Sequence, residues 1–291
     1  MRQELTRIVA DMAKRGEKTP HLASVQIGDD AVSAIYVRNQ QRACRKVGLK
    51  FSRWHLDAEM SQEEVIEYIR TLNENRSNTG IILQMPVPEH IDGREVQGEI
   101  APQKDVEGVS PENLGRVVMG SRRMPPCTPA AVLELLGETG TELEGAEVCV
   151  VGHSEIVGKP LALMLLDRLA TVQVCHHGTV ELAEHTRRAD ILISATGKPG
   201  LITAEMVKPG AVVIDVGFSE VPELSADGIP VVDTATGVTK TKIVGDCEFE
   251  PIREIASAIT PVPGGVGPLT TTTLIRNTVV AAGGPELDLG I

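Results

Sequence analysis

The chain has 291 residues, of which 42 % are hydrophobic and 23 % charged, and its net charge at pH 7 is −12. This is the balance of a globular protein, long enough for two domains at roughly 100–200 residues each. The negative charge argues against a nucleic-acid or anionic-membrane surface, since both need basic patches. The five cysteines are scattered, without a C-x-x-C pair, and no signal-peptide pattern opens the chain. We therefore expect a cytoplasmic protein without a disulfide framework or a metal site.

Strands and helices alternate in the first half of the chain. After an amphipathic helix over residues 1–15, the patterns predict strands at 21–28, 50–56 and 80–88, with helices over 33–46 and after Ser61 between them. This β-α-β-α-β order is typical of a parallel sheet covered by helices. The proline-rich segment MPPCTP then indicates a domain boundary.

The second half repeats the alternation with more apolar strands. A helix is predicted over 131–140 and a last helix over 271–282, and the strands between them are expected at 147–151, 171–175, 190–197 and 211–217. Strands without polar alternation fit a sheet buried on both faces. We predict an α/β protein of two α/β domains, the second a Rossmann-like doubly wound parallel sheet, with an interdomain cleft. The predicted domains are 1–126 plus 262–291, and 127–261.

The stretch VVGHSEIVGKP follows the predicted strand at 147–151 and opens a helix near Gly158. In a dinucleotide fold the first strand ends at such a glycine turn, here Gly152, and Ser154 can donate a hydroxyl or cap the helix. The spacing G-x-S-x-x-x-G differs from G-x-G-x-x-G, so an ordinary tight turn stays open as an alternative.

The next strand, TVQVC, runs into His176, His177, Gly178 and Thr179 without the acidic residue that usually binds the ribose of NAD. Imidazoles and a threonine favour NADP, with NAD possible; the alternative is a pair of solvent-facing loop histidines. Two further loops, SATGKPG with Gly197 and DVGF with Gly217 and Phe218, also follow predicted strands. Three such loops at strand ends are better explained by one shared ligand than by separate turns.

Polar residues of the first half are candidates for a substrate site. Tyr36 and Gln40 are four apart on a predicted helix and share a face. Gln84 interrupts the apolar strand IILQMP, and Glu107 lies in the charged loop KDVEG. The alternatives are a packing tyrosine, a glutamine that satisfies nearby backbone, and a solvated loop.

Taken in order, the motifs resemble the methylenetetrahydrofolate dehydrogenase/cyclohydrolase family. Its marks here are IYVRNQQRAC, ILQMPVPEHID, PQKDVEGVSPENLGR, PPCTPAAVLELL, VVGHSEIVGKPLALMLL, ADILISATGKPG, GAVVIDVGF, VGDCEFE and ITPVPGGVGPLTTTTLIRNT, between about residues 22 and 282. The resemblance implies a homodimer that binds tetrahydrofolate as the one-carbon carrier. It also implies oxidation of 5,10-methylenetetrahydrofolate to the 5,10-methenyl form, with hydride passing to NADP or NAD, and, in many members, hydrolysis to 10-formyltetrahydrofolate.

The resemblance also implies roles for individual residues. Tyr36 would stack on the folate ring, and Gln84 and Glu107 would hold the pterin edge, so these and Gln40 are the candidate catalytic residues. The folate side would be lined by Pro263, Gly264 and Gly265. The candidate dinucleotide contacts are Gly152, His153, Ser154, His177, Thr179, Gly197, Gly217 and Phe218.

Three departures from the family pattern qualify these roles. Gln40 replaces the lysine of Y-x-x-x-K, which the family ties to the cyclohydrolase step. Glu107 replaces the second aspartate of K-D-V-D-G, and its extra methylene could offset the shorter Gln40. G-H-S and H-H-G-T replace G-R-S and H-S-R-T, so His153 and His177 would have to bind the 2′-phosphate of NADP while partly protonated.

A glutamine amide orients by hydrogen bonding but has no proton equilibrium near neutral pH, whereas a lysine can shuttle a proton. We therefore predict that dehydrogenase activity survives and that cyclohydrolase activity is weak or lost. One alternative is the fully bifunctional enzyme, with another group in the lysine's role. An alternative of another class is a catalytically inactive relative that binds folate or nucleotide.

Overall fold

The computed structural model describes residues 1–121, 123–225, 228–232 and 237–286. The chain divides into two compact units, of which unit 1 contains residues 1–131 together with 269–291 and unit 2 contains residues 132–268. Within the described residues, no helix is both long and apolar enough to span a bilayer.

Unit 1 contains a parallel three-stranded sheet with helices around it. Its elements are α1 (Arg2–Lys14), β1 (His21–Ile27), α2 (Ala31–Val47), β2 (Lys50–Leu56), α3 (Gln62–Glu74), β3 (Gly80–Leu83), α4 (Gly93–Gly98), α5 (Pro111–Val118), the start of α6 (Cys127–Thr139) and most of α10 (Val266–Ala281). The strand order is β2-β1-β3, and both pairings are parallel.

Local sequence signals set the helix ends in unit 1. Asp30 caps α2 by accepting the backbone N–H of Ser33 at 2.6 Å, and Gly48 ends the helix in the left-handed conformation. Ser61 and Glu64 form the reciprocal capping box predicted for α3. These caps set where α2 and α3 begin and where α2 ends.

The core of unit 1 is aliphatic and includes both ends of the chain. Leu5 and Val9 of α1 belong to the same buried cluster as Leu274, Ile275 and Val279 of α10. The last helix is therefore part of the core of unit 1, although unit 2 separates it from the rest in sequence.

Unit 2 contains a five-stranded, all-parallel sheet in the order β10-β7-β6-β4-β5. Its elements are the end of α6, β4 (Glu147–Val151), α7 (Gly158–Leu166), β5 (Thr171–Cys175), α8 (Leu182–Thr186), β6 (Ile191–Ser194), a short 3₁₀ helix (Ala204–Met206), β7 (Val212–Asp215), β8 (Ser219–Pro222), β9 (Thr241–Val244), α9 (Phe249–Arg253), β10 (Ala258–Ile259) and the start of α10. The predicted α/β class with a Rossmann-like second sheet is confirmed.

Three predicted boundaries lie four or five residues from those of the structure. The strand predicted over 80–88 ends at Leu83, before Gln84, because the prolines at 86 and 88 have no N–H for a sheet ladder. The helices predicted from 131 and 271 begin earlier, at Cys127 and Val266. In each case a proline lies in the first helical turn, where its missing N–H would have had no helical partner.

Candidate functional site

In unit 1, α2 and the segment after β3 bring three of the predicted site residues together. Tyr36 and Gln40 lie one turn apart on α2, and Gln84 is the first residue after β3. Ser33 Oγ donates to the carbonyl oxygen of Met85 at 2.9 Å, which ties the start of α2 to this segment. Tyr36 is half-buried, and burial raises the pKa of its phenol.

Gln40 and Gln84 form a buried amide network with Ser24 of β1. Gln84 Nε2 donates to Gln40 Oε1 and to Ser24 Oγ, both at 3.1 Å. Ser24 Oγ is 3.4 Å from Gln40 Oε1. Gln40 and Gln84 are each 6 % exposed. Because its oxygen faces this network, Gln40 has its amide nitrogen left as a donor, and the position holds no proton that is released near neutral pH. The sequence patterns did not indicate Ser24 as a site residue, because it lies near Gln84 only through the pairing of β1 with β3.

The two acidic residues of the K-D-V-E-G loop, Asp105 and Glu107, have different hydrogen-bond partners. Asp105 is fully buried, and its carboxylate accepts the backbone N–H groups of Gly108 and Ser110 at 3.0 and 2.7 Å. It also accepts a bond from Asn113 Nδ2 at 2.9 Å. Asp105 therefore holds the loop in shape, while Glu107 is the residue left to act from it.

Glu107 is half-buried and accepts a hydrogen bond from Gln97 Nε2 at 2.8 Å. Burial, and next the nearby charge of Asp105, raise the pKa of Glu107 to about 8, although the Gln97 bond opposes the shift. At neutral pH the carboxyl is therefore mostly protonated and can donate a hydrogen bond. Among the described residues its side-chain partner is Gln97, so the idea that Glu107 offsets the shorter Gln40 gains no support.

In unit 2, the turn after β4 is packed too closely for any side chain. Gly152 has φ +125°, and a Cβ there would lie 2.3 Å from the carbonyl oxygen of Ala195. A Cβ at Gly158 would lie 2.1 Å from the carbonyl oxygen of Gly152. Ser154 Oγ accepts the N–H of Val157 at 3.3 Å and so supports the start of α7. The strand end, the turn and the helix start thus form one tight backbone cradle.

Three imidazoles cluster beside this cradle. The ring centroid of His153 lies 5.1 Å from that of His176 and 5.6 Å from that of His177, and the latter two are 5.8 Å apart. His176 Nδ1 accepts the N–H of Gly178, and Thr179 Oγ1 accepts the N–H of His176. Within the described residues no group of His, Cys, Asp and Glu is arranged to hold a metal ion. The cluster adds His176 to His153 and His177, the two histidines predicted from the sequence.

The turns after β6 and β7 lie next to each other in unit 2. Ser219 Oγ donates to the carbonyl oxygen of Gly197 at 3.2 Å. The backbone N–H of Gly217 donates to Asp215 Oδ1 at 2.9 Å, and Phe218 is exposed. Both turns stand at the carboxyl edge of the sheet, as Gly152 does, which is where ligands of such sheets bind.

The P-V-P-G-G loop falls in unit 2. Gly265 N donates to the carbonyl oxygen of Pro261 at 2.8 Å, and the Val262–Pro263 peptide is cis. Gly264 has φ +116°, which favours glycine. Pro263, Gly264 and Gly265 thus form a compact turn just before α10, and their folate contact stays a prediction.

The comparisons with known proteins agree over most of the chain. Sequence models of the tetrahydrofolate dehydrogenase/cyclohydrolase catalytic domain and of its NAD(P)-binding domain match residues 1–107 and 126–284. "Bifunctional protein FolD 3" of Roseobacter denitrificans is 47 % identical over 281 residues, which cover 97 % of this chain and 92 % of that protein.

Two solved structures are similar along their length. The bifunctional enzyme FolD-methylenetetrahydrofolate dehydrogenase/cyclohydrolase from Campylobacter jejuni has a TM-score of 0.86 and 38 % identity, over 97 % of this chain and 94 % of that one. The Trypanosoma brucei methylenetetrahydrofolate dehydrogenase-cyclohydrolase, complexed with NADP cofactor and inhibitor, has a TM-score of 0.87 and 36 % identity, over 97 % and 93 %. This chain therefore belongs to the tetrahydrofolate dehydrogenase/cyclohydrolase family and is an enzyme of that family.

Proposed function

We propose that this enzyme oxidises 5,10-methylenetetrahydrofolate to 5,10-methenyltetrahydrofolate, with NADP as the hydride acceptor, and hydrolyses the methenyl product weakly or not at all. Membership of the family supports the oxidation. The buried Gln40–Gln84–Ser24 network supports the weak or absent hydrolysis. Tyr36, Gln84 and Glu107 are the proposed folate contacts in unit 1.

The residues of unit 2 fit a dinucleotide. The cradle at Gly152 excludes any Cβ and so leaves backbone N–H groups and the start of α7 to face a pyrophosphate. The proposed 2′-phosphate site is the histidine cluster, with His153 and His177 as its donors. NADP, when bound, supplies the site that accepts the hydride.

The hydrolysis step places a different demand on the substrate site. Water must be activated, or a proton moved, by a group that changes its protonation state near neutral pH. Gln40 cannot do so. Lys104, the lysine of the K-D-V-E-G loop, donates instead to the carbonyl oxygens of Leu72, Asn73 and Asn75, so it is held elsewhere. The oxidation needs positioning rather than a titratable amine, so it does not suffer from the replacement.

The second candidate is the fully bifunctional enzyme that also yields 10-formyltetrahydrofolate. The comparisons favour it over the first, because the Roseobacter and Campylobacter proteins are both named bifunctional. In that case Glu107 is the residue of unit 1 best suited to move the proton, since burial raises its pKa to about 8. The inactive-relative alternative is set aside, because the chain is an enzyme of this family.

The experiment is an absorbance assay with methylenetetrahydrofolate and NADP, in which NADPH and the methenyl product are followed together. Our proposal expects methenyl to accumulate with NADPH and then to decay at the buffer rate. Enzyme-dependent decay to 10-formyltetrahydrofolate would favour the bifunctional candidate. Absence of NADPH formation would remove both.

We also propose a homodimer in the cytoplasm. The five cysteines are free and buried, which suits a reducing compartment. Light scattering of the purified chain tests the dimer: a mass near twice 31.1 kDa is expected, and a mass near 31.1 kDa would contradict it.

A further inference from the structure

The strand order of unit 2 assigns the two halves of a dinucleotide to opposite sides of β4. β5 lies on one side of β4, and β6 and β7 lie on the other. In such sheets the pyrophosphate binds at the turn after the first strand, and the adenosine ribose binds at the end of the second. The histidine cluster at the end of β5 then belongs to the adenosine half. The turns after β6 and β7, with Thr196 and Gly217, are left for the nicotinamide half.

Asp246 is bound to the first of these two turns. It is fully buried, and one oxygen, Oδ2, accepts three hydrogen bonds. The donors are Ser194 Oγ at 2.8 Å, Thr196 N at 2.7 Å and Thr196 Oγ1 at 2.9 Å. Hydrogen bonds to an ionised acceptor are stronger than neutral ones, so this cluster holds the end of β6 firmly.

Asp215 connects Asp246 to the second turn. Asp215 Oδ1 accepts the backbone N–H groups of Gly217 at 2.9 Å and of Asp246 at 3.0 Å. Asp215 Oδ2 accepts the N–H of Cys247 at 2.9 Å. The two carboxylates therefore link the Thr196 turn and the Gly217 turn through buried bonds.

The other carboxylate oxygen of Asp246, Oδ1, makes no hydrogen bond that holds either turn in the described residues. Within the described part of the chain, Oδ1 is buried and has no hydrogen-bond partner. A Cβ at Gly217 would lie 2.3 Å from it, so this oxygen sits directly beneath the second turn. A buried oxygen without a partner costs free energy, and such groups call for an explanation beyond packing.

We propose that Asp246 is a positioning residue that holds the Thr196 and Gly217 turns in place for the nicotinamide half of NADP. This proposal rests on the proposed NADP-dependent function. Asp246 touches neither the cofactor nor the substrate in this account; it acts through the two turns. Its removal should weaken contacts with the nicotinamide half and leave the adenosine half unaffected.

The test compares two ligands on the full-length protein by calorimetry. NADP uses both halves of the site, whereas 2′,5′-ADP uses the adenosine half alone. We expect Asp246→Ala to raise the Kd of NADP by ~10-fold or more, since a bond to a charged group is lost. The Kd of 2′,5′-ADP should stay within about twofold, because the side-chain hydrogen bonds of Asp246 go to Ser194 and Thr196 rather than to the Gly152 turn or the histidines. Asp246→Asn should rescue part of the loss, because an amide oxygen can still accept the Thr196 bonds.

Two further variants complete the test, the first as a matched control and the second in case Asp246→Ala does not fold. Asp190→Asn makes the same substitution at the opposite edge of the sheet, where Asp190 pairs with Lys208 at 2.6 Å, and it should leave both Kd values unchanged. If Asp246→Ala does not fold, Thr196→Val removes one of the three bonds and should raise the Kd of NADP alone. Equal loss of both ligands, or no loss of either, would overturn the positioning role. Wild-type protein that binds neither ligand would instead contradict the proposed function.

Discussion

Gly152→Ala tests whether the turn after β4 is as tight as the structure shows. The new Cβ would lie 2.3 Å from the carbonyl oxygen of Ala195, whereas real Cβ contacts stay above 3.0 Å, so the end of β6 would have to move by the difference. The backbone at φ +125° adds strain of ~1–3 kcal/mol, and forced overpacking adds ~1–3 kcal/mol more. We therefore expect the free energy of unfolding of unit 2 to fall by ~2–6 kcal/mol.

Urea unfolding separates this effect from damage elsewhere. Trp54, the one tryptophan of the chain, lies on β2 and reports on unit 1, while far-UV circular dichroism reports on both units. The dichroism transition should shift to lower urea and the fluorescence transition should shift less. Because the cradle moves by most of an ångström, the rate with NADP should also fall by ~10²-fold.

Gly210→Ala is the matched control in the same unit. Gly210 also has a positive φ, of +84°, but a Cβ there meets nothing within 4 Å. Its cost should be only the left-handed penalty of ~1–2 kcal/mol, with the NADP rate unchanged. If the two variants lose the same stability and both keep full activity, the close approach at Gly152 has no consequence and the reasoning is refuted.

Three further substitutions test the remaining residues. Gln40→Lys should speed methenyl hydrolysis by ~10²-fold, since it restores a group that moves protons, and an unchanged decay rate would show that position 40 does not control this step. Glu107 has a folded pKa of about 8, above its unfolded value of 4.5, so stability should fall as pH rises between those values; Glu107→Gln, assayed by thermal melting, should flatten that fall. Replacing His153 and His177 by Gln should lower the rate with NADP relative to the rate with NAD, and an unchanged ratio would exclude them as the 2′-phosphate donors.

Much of the fold could be predicted because its signals are local. The strands β4 and β5 are apolar runs whose bounds match the prediction, and the capping box at Ser61 starts α3 where expected. The antiparallel pair β8 and β9 was missed. Its short, mostly polar segments have no apolar run, and they are joined through residues far apart in sequence.

Local sequence patterns could indicate the surroundings of a candidate site residue where its neighbours belong to its own turn. Gly152 was found because a glycine after an apolar strand is a local pattern. Asp246 was missed because its partners lie about 50 residues away and become neighbours only when the sheet forms. For the same reason the sequence could not show that Gln84 bonds Gln40, or that burial raises the pKa of Glu107.

In our proposal, the glutamine at position 40 separates oxidation from hydrolysis. The most direct measurement is a single reaction of the wild-type enzyme with methylenetetrahydrofolate and NADP, with NADPH, methenyl- and 10-formyltetrahydrofolate quantified at each time point. We expect one methenyltetrahydrofolate for each NADPH, with 10-formyltetrahydrofolate formed no faster than in buffer. Formation of 10-formyltetrahydrofolate in step with NADPH would contradict it.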